Sequence, residues 1–114
     1  MDCFTGYVRG LIRQDMETQK QEQEIEDEEF VLMDAIDAYG STAQEWVFVG
    51  EVGELLDAIA DKKRGRCGTD HIAEEIADVE IMLTQMKMIY RCEERVAEWR
   101  KQKVQRLAEQ LKGG

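Results

Sequence analysis

The stretch Val49–Leu83, VGEVGELLDAIADKKRGRCGTDHIAEEIADVEIML, decides the fold. Its two ends, VGEVGELLDAI (49–59) and EEIADVEIML (74–83), carry apolar residues at helical spacing, and the basic, glycine-containing KKRGRCG (62–68) between them reads as a loop. Two helices joined by so short a loop lie antiparallel. The first carries Glu51 and Glu54, the second Glu75 and Asp78. Residues three apart are neighbours on a helix surface, so the two carboxylate pairs can face each other.

Advancing about 100° per residue from Glu51 gathers Phe48, Val52, Leu55, Leu56 and Ile59 on one side, bordered by Glu51 and Glu54. On the next helix Glu75 falls among Ile72, Ile76, Val79, Met82, Met86 and Ile89, with Asp78 at the edge. Glu51, Glu75 and Asp78 are followed at i+4 by Leu55, Val79 and Met82 rather than by lysine. Half-buried carboxylates without counter-charge cost several kcal/mol or shift their pKa upward. A dication removes that conflict, and ligation by oxygen alone selects Mg²⁺, with Mn²⁺ as a substitute, over zinc or copper. A second reading stays open at this point: a polar seam satisfied by Arg or Lys from elsewhere in the bundle. Spacing alone does not choose, since Glu26 and Glu29 form the same ExxE pair inside an acidic run.

Outward from this core, Ile25, Phe30, Leu32, Met33, Ile36 and Tyr39 predict a helix over about 24–39, ended by Gly40. Ser41 with Gln44 three residues on has the capping-box pattern and opens a helix over about 42–63, closing near Gly65. Thr69 or Asp70 is expected to cap a third helix, about 70–91. A fourth, about 93–111, turns Val96, Val104, Leu107 and Leu111 inward and stops at Gly113. The expected fold is therefore all-α, an antiparallel bundle of four main helices in one domain over 25–114, with no internal repeat. Residues 1–24 form an N-terminal extension. Within it Phe4, Tyr7, Val8, Leu11 and Ile12 are spaced as one face of a weak helix over 3–16, and 14–24 are polar throughout.

Composition agrees with a helical protein: 114 residues with no proline. The net charge of −10 argues against nucleic acid as a partner. That excess is local, because Gln14–Phe30 holds eight acidic residues and one lysine, leaving about −3 for the rest. Cys3, Cys67 and Cys92 make no CxxC and no disulfide framework, so the expected setting is cytoplasmic. The apolar runs are too short for a membrane span.

Several further residues have both a binding and a plain structural reading. Lys62, Lys63, Arg64 and Arg66 either contact phosphate or are solvated cations favoured by a helix C-terminus. Lys87, Lys103 and Arg106 are softer candidates for the same contact. Trp46 either stacks on a base or packs in the core or an interface. Gly50 and Gly53 with Trp46 and Asp57 form a stripe that admits a close neighbour, either a ligand or a partner helix. His71 reads as a local cap or surface residue.

The pairing of ExxE with ExxD across a loop resembles the all-α nucleoside triphosphate pyrophosphohydrolases, the MazG-like and dCTP-pyrophosphatase group. Val49-Gly50-Glu51-Val52-Gly53-Glu54-Leu55 is similar to that group's first motif, and Glu74-Glu75-Ile76-Ala77-Asp78-Val79 to its second. The resemblance spans about 41–90, with a weaker likeness at Lys103-x-x-Arg106-Leu107 to the final helix of compact members. It implies that Glu51, Glu54, Glu75 and Asp78 bind Mg²⁺, and that a nucleoside triphosphate, a dNTP for choice, is cleaved to the monophosphate and pyrophosphate. Glu54 is the residue expected to orient the attacking water as a base. A homodimer or homotetramer is expected, from the resemblance and from a core too small for the apolar faces available. The rival expectation is a non-catalytic helical module that senses nucleotides or binds a protein.

Overall fold

A computed structural model of the protein describes residues 21–113, with side chains from residue 27 onward. The expected helical face over 3–16 lies outside the described residues. These residues form four helices and no strand: α1 Gln21–Tyr39, α2 Ser41–Lys63, α3 Thr69–Tyr90 and α4 Glu93–Gly113. The chain is all-α, and α2 and α3 form an antiparallel hairpin across which α1 is laid. Among the described residues no helix is long and apolar enough to cross a membrane.

The punctuation between helices is backbone chemistry more than side-chain capping. Gly40 takes φ +93°, and Gly40, not Ser41, is the N-cap of α2, with no side-chain cap bond. The capping box is thus corrected: Gln44 turns inward instead of back to the helix start. Gly68 likewise precedes α3 in place of a Thr69 or Asp70 cap. At the end of α2, Gly65 sits at φ +77°, its N–H donating to the Lys62 carbonyl (3.0 Å) while the Arg66 N–H donates to Asp61 (2.8 Å). This pair of bonds is the Schellman closure, and it needs the left-handed conformation that glycine adopts without strain. The loop then returns onto α2, where the Cys67 thiol donates to the Ala58 carbonyl (3.4 Å).

The turn from α3 to α4 uses the same device without glycine. Arg91 takes φ 53° and ψ 49°, and the Cys92 N–H donates to the Lys87 carbonyl (3.1 Å). A side chain in this region is disfavoured by about 1 kcal/mol. Arg91→Gly is therefore expected to stabilise the protein by about 0.5 kcal/mol, after glycine's larger entropy cost. A urea titration with unchanged slope and a raised midpoint is the readout; a lowered midpoint would show that the Arg91 side chain holds the turn.

Packing departs from the apolar pattern in one respect that shapes everything else. Among the described residues the buried apolar side chains are Leu32, Ala35, Ala58 and Met82. The other buried side chains are Gln44, Glu51, Glu75, Asp78 and Gln85. Leu56, Ile59 and Ile76, expected inside, are exposed, as are Phe30, Met33 and Tyr39 of α1. In α4 nothing is buried: Val96, Val104, Leu107 and Leu111 do not turn inward as their spacing predicts, and the helix leans only slightly on α3. Its apolar stripe has the right period, but among the described residues there is no surface that buries it.

Candidate functional site

The seam between α2 and α3 follows a coiled-coil pattern with polar residues at its inward positions. On α2 the buried residues are Gln44, Glu51 and Ala58, seven apart. On α3 they are Glu75, Asp78, Met82 and Gln85, spaced three, four and three. Such positions ordinarily hold Leu, Ile or Val.

Gln44 and Gln85 set the register. The Gln44 amide Nε2 donates to Gln85 Oε1 (2.8 Å), and Gln85 Nε2 donates to the Leu32 carbonyl of α1 (2.9 Å). Counting seven residues on from Gln44 and seven back from Gln85 sets Glu51 level with Asp78. Three more on each strand of the hairpin set Glu54 level with Glu75. A slip of one turn would undo this facing, so the two glutamines determine which acids meet.

Glu51 is 1% exposed, Glu75 5% and Asp78 4%, whereas Glu54 is half-buried at the seam's edge. One carboxylate oxygen from each of Glu51, Glu54 and Glu75 lies within 4.8 Å of the others. Asp78 is buried on the same seam but falls outside that triple. At about 4.8 Å and an effective dielectric of about 20, each like-charged pair repels by about 3 kcal/mol. Glu51, Glu75 and Asp78 each engage further groups, so their charges are not left to one another alone.

The residues fit a small hard cation. Its ligands would be carboxylate oxygens; Oε1 of both Glu51 and Glu75 is buried and accepts no hydrogen bond among the described residues, while each residue keeps other interactions. Oxygens about 2.1 Å from Mg²⁺ stand about 3–4 Å apart on an octahedron, so the three groups need close by no more than an ångström or two.

His71 enters the site from a direction the forward i+4 spacing did not test. It stands four residues before Glu75, with Nε2 3.9 Å from Glu75 Oε2 and Nδ1 3.6 Å from Glu74 Oε1. It is half-exposed on the solvent side of the seam and caps nothing. The i−4 position of a suspected ligand was the available signal. Gln44 and Gln85 were also missed, although their seven-residue offsets from Glu51 and Asp78 are visible in the sequence.

The expected substrate contacts are not gathered around the acids within one chain. Lys62, Lys63, Arg64 and Arg66 are exposed in the closing turn, and Arg64 pairs with Asp61 (3.5 Å). That turn is about two to three helical turns from the carboxylates at 1.5 Å per residue. Lys87 lines a cavity of about 570 Å³ with Glu28, Glu80, Thr84 and Arg100. Lys103 and Arg106 are exposed on α4, Lys103 resting over the Trp99 ring at 5.8 Å. Trp46 is exposed, and it projects about 140° around α2 from Glu51. It is neither core nor beside the acids. A Cβ at Gly53 would meet nothing within 4 Å, so no described part of the chain closes on that position of the stripe.

Set against models of known protein families, curated proteins and solved structures, the chain matches none.

Proposed function

We propose that the protein is a Mg²⁺-dependent nucleoside triphosphate pyrophosphohydrolase acting on NTPs or dNTPs. The observation that supports this reading is the convergence of Glu51, Glu54 and Glu75 within 4.8 Å on a seam that also buries Asp78. The motif resemblance names the same four acids. Glu51, Glu75 and Asp78 would hold the ion from the protein side, with Glu54 at the mouth. When bound, Mg²⁺ supplies charge neutralisation for the phosphates and polarises the attacked phosphorus.

Glu54 is suited to the base role by its position: it reaches the buried acids and also solvent, where a water is available. It would take a proton from that water as the oxygen attacks the α-phosphorus. The bond from the α-phosphorus to the α–β bridging oxygen then breaks, and pyrophosphate leaves. The glutamine clamp keeps Glu51 and Glu54 in register with Asp78 and Glu75 while this happens. The proposed setting is the reducing cytoplasm, where the substrate pools are. The proposed assembly is a homodimer or homotetramer, in keeping with how few apolar side chains are buried among the described residues.

The test is a panel of NTPs and dNTPs with and without Mg²⁺, scoring pyrophosphate against orthophosphate. Pyrophosphate release from at least one nucleotide, abolished by chelation, is the expected result. Orthophosphate as first product contradicts the assigned bond, and no release from any nucleotide supports the non-catalytic sensing module instead.

A further inference from the structure

The hairpin has a second face, opposite the polar seam, and it is apolar. Val49 and Leu56 stand seven apart along α2, and Ile76, Leu83 and Tyr90 stand seven apart along α3. With Trp46 these side chains are between 43% and 70% exposed. Seven-residue spacing keeps each set in one line along its helix, so the face carries two ridges. At one end they enclose a groove of about 590 Å³ floored by Phe48 and Met86 and walled by Trp46, Val49, Leu83 and Tyr90. The Tyr90 hydroxyl donates to the Glu45 carboxylate across that end, which ties α2 to α3 and holds the groove's shape. That bond and the Glu45 charge raise the Tyr90 pKa, so the link persists through neutral pH.

We infer that this face is where a second copy of the chain docks, hairpin against hairpin, completing a four-helix interface to which each chain gives two helices. The inference deepens the assembly proposed above by assigning it a surface, and it rests on that assembly but not on the hydrolytic reading. Three observations select a second copy. The six side chains offer on the order of 700 Å² of mostly apolar surface, against ~800 Å² per partner in an ordinary stable interface and a few hundred Å² on a typical monomer. Two parallel ridges match the two-ridged face of another hairpin, whereas a single helix would cover one groove and leave a ridge wet. Neither ridge carries an ionic side chain between its named residues, although Lys63 continues the α2 line at its end, and beside the ridges Glu45, Asp57 and Glu80 outnumber Lys87. An acidic chain of −10 that associates through apolar contact should do so more tightly as salt screens its repulsion. A basic partner would show the reverse.

Analytical ultracentrifugation of the full chain tests this. The expected mass in ~0.5 M salt is a multiple of the 13.2 kDa chain, with the dissociation constant falling as salt rises. Leu83→Glu should weaken association at least 100-fold with the helical circular dichroism unchanged, and Val49→Glu should do the same from the other ridge. Leu111→Glu, on α4, should leave association alone. A wild-type chain that stays monomeric at ~100 µM overturns both the assembly and the face. An oligomer that survives both ridge substitutions leaves the assembly standing and overturns the face.

Discussion

Glu51→Gln should lower Mg²⁺-dependent pyrophosphate release at least about 100-fold, a loss of about 2.7 kcal/mol or more of transition-state stabilisation. The substitution keeps volume and shape, so the helices have no reason to move. It removes one of the charges that oppose the ion at the most deeply buried acid of the seam. The same change has a signature independent of turnover. An ion that binds only the folded protein stabilises it by about 2.7 kcal/mol at a hundred times its dissociation constant, and for a chain of this size that raises the melting temperature by several degrees. Wild type should show this rise on adding Mg²⁺, and Glu51→Gln should show little of it. Glu98→Gln, on exposed α4, should behave as wild type in both measurements. Equal rates and equal Mg²⁺ responses for Glu51→Gln and wild type would remove the cation from the site.

Gln85→Ala should cost about 3 kcal/mol of folding stability, a large part of the 5–15 kcal/mol available to a domain. Gln85 is fully buried and joins all three packed helices, accepting from Gln44 and donating to Leu32. Truncation leaves the Gln44 amide buried without its acceptor, at about 1–3 kcal/mol, and opens a cavity costing a comparable amount. Replacing both glutamines with methionine keeps the volume and removes both amides, so much of the loss should return. The double variant should nonetheless bind Mg²⁺ more weakly than wild type, because an apolar pair does not fix register as a directional bond does. Urea unfolding of Gln44→Met, Gln85→Met and the double variant gives the coupling between the two glutamines. An additive cycle would mean that the Gln44–Gln85 bond contributes nothing to holding α2 against α3.

Much of this molecule was legible in the order of its residues. The helices were predictable to within a few positions because their limits are local: Gly40 and Gly65 stop α1 and α2, and apolar spacing carries α2 and α3 between. The break at Arg91 was less visible, since an arginine there adopts a conformation more often held by glycine. The pairing of Glu51 and Glu54 with Glu75 was likewise readable, because a short loop permits only an antiparallel return.

Which side of each helix faces inward was not readable, and only tertiary packing decided it. Leu56 and Ile76 are ordinary core candidates by period, yet they lie on the outside, while Gln44, Glu51, Glu75, Asp78 and Gln85 fill the seam. A hydrophobic period identifies a face that must be covered; it does not say by what. When one chain has two such faces, or a helix such as α4 with none of its stripe covered, the choice depends on the other surfaces present. Here the glutamine clamp and the acids together claim the interior, and the apolar ridges are left on the outside of the described residues.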